Sequence, residues 1–213
     1  PPVDGYTVQF SDTHSCSTSY IVYQLIEALA GTDAIDQAMA EALYVGIMTD
    51  TGNFSFSNLT SDLFRAVAVL IDRGVNVPYV NSSVYDNFSE GRMRLLGYML
   101  NDKMVTDYRY GVAYVSLTEE EMRRFNFIQG DSEGFVNYPL SIRGIRMSAM
   151  FIQTKHSIRV SLRSRGSDVD VNVFARRYFD GGGHRNAAGG KSYVSMDETL
   201  KNFHTYLKEY FGA

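Results

Sequence analysis

The densest group of residues suited to anion chemistry is the run GGGHRNAAGG at residues 181–190. Consecutive glycines lack the Cβ that keeps most residues out of positive φ, so their backbone N–H groups can turn toward one point. Such a concave group of amides binds anions, above all phosphate. His184 adds a donor that titrates near neutral pH, and Arg185 adds a permanent charge suited to phosphate. The run therefore predicts a phosphate site; the alternative is a glycine-rich helix end and turn with a packed histidine.

A second basic element is the segment SIRVSLRSR at residues 157–165. Period-two alternation places Arg159, Ser161 and Arg163 on one face of a strand and the aliphatic residues between them on the other. Beside the glycine run, this polar face would form a wall that recognises phosphate. The plainer alternative is a half-exposed strand whose basic face is merely solvated.

An acidic residue able to bind a metal ion lies in VGIMTDTGNF, at residues 45–54. Asp50 ends an apolar stretch between two threonines, and a glycine follows. Carboxylates at the end of a buried segment lie where α/β folds build ligand sites, and Asp50 offers a hard oxygen ligand for Mg²⁺ or Mn²⁺. Taken alone, such an aspartate is more often an ordinary helix-end or turn residue.

Composition restricts the classes of partner. The 213 residues suffice for one large domain or two small ones, and the net charge of -4 provides no general basic field for long nucleic acid. One cysteine, Cys16, excludes an internal disulfide framework and fits a reducing compartment, so we expect a cytoplasmic protein. No apolar run of membrane-spanning length and no signal peptide are present. The 13% aromatic content permits a homodimer, and the first residue, Pro1, predicts that upstream residues are missing.

The elements that would position these residues change character along the chain. A strand at residues 5–10, followed by helices at 20–30 and 33–44, favours an α/β fold for the first part. A capped helix is predicted at 60–72, a short helix and turn at 77–88, and a longer connector helix at 89–104.

After residue 104 the pattern becomes that of an α+β domain. A hairpin is predicted at 105–117, because β-branched and aromatic residues alternate around Gly111. The later helices are expected at 118–125, 131–144, 169–179 and 197–210, and the later strands at 146–153, 157–164 and 191–194. The resulting division is 1–88, a connector helix at 89–104, and 105–213.

Together these segments resemble the DHH phosphoesterases that carry a DHH-associated C-terminal domain, of the oligoribonuclease and phosphoadenosine-phosphate phosphatase type often labelled exopolyphosphatase-related. The resemblance covers essentially the whole chain, and its most specific element is GGGHRNAAG. Its further support comes from IRVSLRS, EGFVNY, GIMTDTGNFSFSNLT and SCSTSYIV. It implies an α/β fold in which a partial DHH domain is joined by the connector helix to a smaller α+β domain with a mixed sheet. It also implies two Mn²⁺ ions, with Mg²⁺ possible, in the first domain and nucleotide binding by the second.

Several residues of this chain fall on positions that the family uses. Asp50 in TDTG matches an aspartate that binds metal, and it is therefore also the candidate catalytic residue. The positions that the resemblance and the anion chemistry assign to substrate binding are Ser161, Arg163, Ser164, Gly182, Gly183, His184, Arg185, Glu133 and Asn137.

One departure from the family concerns the remaining metal ligands. The family carries them in motifs upstream of this aspartate, and neither Asp-x-Asp nor Asp-His-His occurs ahead of Asp50. We therefore expect the chain to correspond to the family without the front of its catalytic domain, and to be inactive alone. For the whole enzyme, the resemblance implies metal-dependent exonuclease or phosphatase activity on short RNA or DNA oligonucleotides or small nucleotides. The alternatives are a cyclic-dinucleotide phosphodiesterase and a nucleotide-binding module without catalysis.

Overall fold

A computed structural model describes residues 5, 7, 9–12, 14–55 and 58–212. The chain divides into two units, Pro1–Asn87 and Phe88–Ala213. The strand predicted at residues 5–10 includes Tyr6 and Val8, which lie outside the described residues, and its described members carry no strand. None of the described helices combines the length and apolarity needed to cross a lipid bilayer.

The described residues of the first unit form helices, and each α-helix begins at a polar side chain that accepts from a backbone N–H of the first turn. These caps are Ser17, Asp36, Thr60 and Asn76. The helices are α1 (Thr18–Ala30), a short 3₁₀ turn (Thr32–Ala34), α2 (Gln37–Asp50), α3 (Ser61–Asp72) and α4 (Val77–Tyr85).

Helix α2 is longer than the sequence predicted, since it continues beyond Tyr44 to Asp50. Its added turns bury Ile47 and Met48 against the same core as Ala40 and Tyr44, so the apolar stretch continues one helical face. Asp50 therefore ends a helix.

The described residues of the second unit form six strands in one mixed sheet; the sequence predicted the mixed sheet but no strand within the glycine run. The strand order is β1-β2-β3-β4-β6-β5, with β2 and β3 parallel and the other pairs antiparallel. The strands are β1 (Val105–Asp107), β2 (Val112–Leu117), β3 (Met147–Gln153), β4 (Ile158–Ser164), β5 (Gly182–His184) and β6 (Ala187–Ser192). Its helices are α5 (Glu90–Tyr98), a π turn (Met99–Lys103), α6 (Glu119–Arg124), a 3₁₀ helix (Phe135–Ser141), α7 (Val171–Tyr178) and α8 (Met196–Phe211).

The two faces of this sheet are covered differently. One face packs Phe151, Val160 and Leu162 against α7 and α8, which contribute Phe174 and Phe203. The opposite face is covered over β2 and β3 by α5, α6 and the 3₁₀ helix, which form a second core. On β4 the outward residues of that second face are polar, and the site described below lies there.

Two sequence predictions in the second unit were wrong about local structure. Residues 131–144 form turns and the short 3₁₀ helix, not an α-helix, since Pro139 lies inside the segment and Gly134 has a φ of 82°. The glycine run is not a loop followed by a strand but the β5–β6 hairpin. The two strands can approach this closely because Gly183 has no side chain; a Cβ at this position would lie only 2.5 Å from the carbonyl oxygen of Ala187.

Candidate functional site

The centre of the candidate site is Arg163 on β4. The predicted alternation is present: Ile158, Val160 and Leu162 are buried on one face, while Arg163 is half-buried on the other. Burial lowers the pKa of the Arg163 guanidinium, and the nearby charge of Glu133 opposes that shift; the group remains a cation at neutral pH. Among the described residues, only the carbonyl oxygen of Leu162 accepts a hydrogen bond from it, at 2.9 Å.

A cation in that position is a strong anion ligand. Removing a guanidinium from water is costly unless its donors are satisfied, and five N–H groups are available. An anion at this face would supply the acceptor oxygens, and a carboxylate, or two oxygens of a phosphate, would match the fork of donors.

The register of the sheet links Arg163 to the glycine hairpin. Arg163 pairs with Ala187, and Ala187 pairs with His184, so the three positions form one row across β4, β6 and β5. Directly paired positions share a face of the sheet, and two strand spacings separate Arg163 from His184 by about 10 Å. The adjacent row joins Ser161 to Gly189. Because the β6 residues between them are small, the sheet surface between the side chains of Arg163 and His184 is open.

At Gly183, the glycines do not form the predicted concave group of free amides. Its N–H donates to the side-chain oxygen of Asn172 on α7 at 3.0 Å, and its chain is paired in the hairpin. Gly182 lies beside the same helix, with Asn172 and Arg176 nearest to where a Cβ would be. Gly181 and Gly183 therefore allow the close approach of β5 to β6, and the Gly183 N–H links the hairpin to α7, whereas the His184 side chain is exposed.

Ser164 and Arg185 hold the fold around the site. The Ser164 hydroxyl is buried on the opposite face of β4 and donates to the carbonyl oxygen of Val169 at 2.9 Å. Arg185 donates to the carbonyl oxygen of Ser167 at 2.6 Å, and its own carbonyl accepts from Val171 N–H at 2.8 Å. Both residues tie the loop after β4 to the hairpin, and the Arg185 guanidinium is exposed.

Glu133 and Asn137 lie on the segment that covers part of the polar face. Glu133 is exposed, with one carboxylate oxygen 4.0 Å from the guanidinium of Arg159, while Arg159 also donates to the Ser132 hydroxyl at 2.9 Å. Asn137 is exposed on the 3₁₀ helix. The structure thus brings Glu133 to the same face as Ser161 and Arg163.

Sequence reasoning missed Arg92, the residue that holds this covering segment. Its guanidinium is buried and donates to the carbonyl oxygens of Asp131 and of Glu133, the latter at 2.8 Å. The rings of Phe88 and Phe135 pack against the guanidinium, with centroids 4.1 and 4.8 Å from Cζ. The burial of Arg92 could have been predicted from its spacing in the sequence. Residue 92 falls three and four positions before two buried leucines and therefore lies on the apolar side of α5.

The comparison with known proteins decides the family. Residues 107–213, which are half of the chain, match the DHHA1 domain. The chain belongs to the DHH phosphoesterases with a DHHA1 domain. This membership confirms the resemblance that the motifs indicated, and the matched range includes β4, the covering segment and the glycine hairpin.

Relatives of this DHHA1 protein extend the similarity to the first unit. The bifunctional oligoribonuclease and PAP phosphatase NrnA of Bacillus subtilis is 28% identical over 93% of this chain and 63% of that protein. The crystal structure of an exopolyphosphatase-related protein from Bacteroides fragilis is 38% identical, covers 99% of this chain and 61% of that one, and superposes with a TM-score of 0.94. The cyclic-di-AMP phosphodiesterase GdpP of Bacillus subtilis is 26% identical over 95% of this chain and 30% of that protein. The chain thus spans about three fifths of the first two relatives.

Asp50 of this DHHA1 protein lies in the first unit, at the C-terminal end of α2. Its Oδ2 accepts from the Ser17 hydroxyl at 2.8 Å, and the residue is exposed. Among the residues that the structure describes, no three His, Cys, Asp or Glu side chains come together as a metal site would require. Two Mn²⁺ ions need several oxygen or imidazole ligands, so the described residues do not fit a dinuclear centre by themselves.

Proposed function

We propose that this chain carries the nucleotide-binding part of a metal-dependent phosphoesterase that hydrolyses short oligoribonucleotides, 3′-phosphoadenosine 5′-phosphate, or both. The observation that carries the proposal is Arg163, a half-buried cation with one acceptor among the described residues, on a sheet face shared with Ser161. A phosphate bound there would satisfy the donors that burial has removed from water. The oligoribonuclease and PAP phosphatase activities for which the Bacillus subtilis relative is named support the substrate class.

The roles of the other residues follow from their positions. The Ser161 hydroxyl, in the adjacent row of the sheet, and the His184 imidazole, two strands away in the same row as Arg163, would donate to further phosphate oxygens. Glu133 and Asn137, on the covering segment, would accept from or donate to the sugar hydroxyls. With a net charge of -4, the chain has a local anion site in place of a long basic track, which favours short ligands.

Equilibrium binding without metal tests this role directly. In EDTA, which prevents hydrolysis, calorimetry should show that Arg163→Ala weakens the binding of adenosine monophosphate at least tenfold, because a bond to a charged group is worth about 1.5–3 kcal/mol. Arg163→Lys should restore the charge but not the fork of donors, and so only part of the affinity. Arg143→Ala is the matched control, since it removes an exposed arginine of the same unit. Equal affinity in Arg163→Ala and Arg143→Ala would refute the proposed site.

Hydrolysis assays test the activity and its alternatives. Short RNA, 3′-phosphoadenosine 5′-phosphate and cyclic di-AMP would each be incubated with the whole enzyme and Mn²⁺, beside its Asp50→Ala variant. Turnover of the first two, abolished in Asp50→Ala, is expected of the whole enzyme. Turnover of the cyclic dinucleotide alone would favour a cyclic-dinucleotide phosphodiesterase, an alternative that the similarity to GdpP supports. Nucleotide binding that is lost in His184→Ala, without turnover, would mark a binding module.

A further inference from the structure

A separate cavity opens at the end of β4 away from Arg163. Its volume is about 430 Å³, within the usual range of small-molecule sites, about 300–1,000 Å³. Its apolar lining comprises Met122 and Ile152, which are buried, and Phe127, which is half-buried. The cavity lies wholly within the second unit, and of the polar face of β4 described above only Arg159 lines it.

The charged residues of this cavity favour an anion. Arg123, Lys155 and Arg159 line it, and Glu119 is its one carboxylate. Within the described part of the chain, neither Arg123 nor Lys155 takes part in an ion pair. Because Arg123 and Lys155 have no ion-pair partner among the described residues, their charges raise the local concentration of negatively charged ligands.

The polar residues of the cavity suit a nucleobase. The side-chain oxygen of Gln153 accepts from the Glu119 backbone N–H at 3.3 Å, which fixes the carboxamide and leaves its NH₂ group to donate. Gln129 adds a second carboxamide at the exposed rim. Sites that bind single-stranded nucleotides combine an aromatic ring that stacks on a base, amides that bond to the base edge and cations that bind phosphate.

Arg159 joins this cavity to the polar face of β4. It lines the cavity, and it shares a strand face with Arg163 four residues away, a distance of about 13 Å along a strand. We propose that the cavity is a second nucleotide subsite, which binds the base of the next nucleotide when the phosphate of the first is held at Arg163. This inference rests on the proposed function, and it gives the protein a reason to bind a dinucleotide more tightly than a mononucleotide.

The test compares two ligands in EDTA: a 5′-phosphorylated adenosine dinucleotide and adenosine monophosphate. Phe127→Ala should weaken dinucleotide binding about tenfold through lost stacking, and leave mononucleotide binding unchanged. Lys155→Ala, which changes an exposed side chain and should not affect folding, should weaken the dinucleotide several-fold and reduce the salt dependence of its binding. Tyr108→Ala removes an exposed aromatic residue outside the cavity and serves as the matched control. Circular dichroism would verify that each variant is folded.

The outcomes separate this inference from the proposed function. If Phe127→Ala and Lys155→Ala bind both ligands like the wild type while Arg163→Ala binds neither well, the second subsite is wrong and the phosphate site stands. A loss of equal size for both ligands in the cavity variants would also overturn the inference, because one nucleotide would then occupy the cavity. If Arg163→Ala has no effect on either ligand, the proposed function itself fails.

Discussion

The buried guanidinium of Arg92 determines how firmly the covering segment is held over the candidate site. It donates to the carbonyl oxygens of Asp131 and Glu133 and is enclosed by the rings of Phe88 and Phe135. Arg92→Ala would remove both bonds and leave two carbonyls without their charged donor. With each bond from a charged group worth about 1.5–3 kcal/mol, we expect the free energy of unfolding to fall by about 3–5 kcal/mol.

Urea denaturation followed by circular dichroism measures this loss. Arg94→Ala is the matched control on the same helix, since its exposed ion pair with Glu90 should contribute no more than about 0.5 kcal/mol. Arg92→Lys should lie between the two, because one ammonium cannot reproduce the planar fork of donors. A loss below about 1 kcal/mol in Arg92→Ala, or one no larger than in Arg94→Ala, would refute the role assigned to this residue.

Two further predictions concern stability. Burial raises the pKa of Glu121, but hydrogen bonds from Lys103 at 2.6 Å, from a tyrosine hydroxyl and from a backbone N–H lower it more, to about 2. Because the pKa of Glu121 is lower in the folded than in the unfolded protein, where it is about 4.3, the carboxylate stabilises the fold above pH 4.3, and this stabilisation is lost as the pH falls toward 2. The free energy of unfolding of the wild type should therefore fall by about 2–3 kcal/mol more than that of Glu121→Gln over this range. Parallel pH profiles of the two proteins would contradict this. Gly190→Ala should lower the free energy of unfolding by about 1–3 kcal/mol, because the added Cβ would lie 2.5 Å from the Phe179 carbonyl oxygen. Gly97→Ala is the control, since the space around Gly97 is open and the substitution should not destabilise the protein. Equal melting temperatures of the two variants would exclude the clash.

The sequence alone determined several features of this protein, because they depend on neighbours within a few residues. The alternation in β4 follows from period-two spacing, so the polar face with Arg163 could be predicted without a structure. Helix starts at Thr60 and Thr118 were predicted from their capping side chains. The family could be recognised because its glycine and arginine motifs are local runs of letters.

The tertiary structure alone decided which of these residues meet. Local patterns do not specify strand order, so the row that places His184 two strands from Arg163 follows only from the pairing of β6 between β4 and β5. The glycine run was predicted as a loop, since its lack of side chains leaves no periodicity; its hairpin depends on the close approach of α7. Arg92 was missed for a related reason. From sequence alone, an isolated arginine is predicted to be exposed. Only folding brings the carbonyl oxygens of residues 131 and 133, some 40 positions away, within hydrogen-bonding distance of the guanidinium.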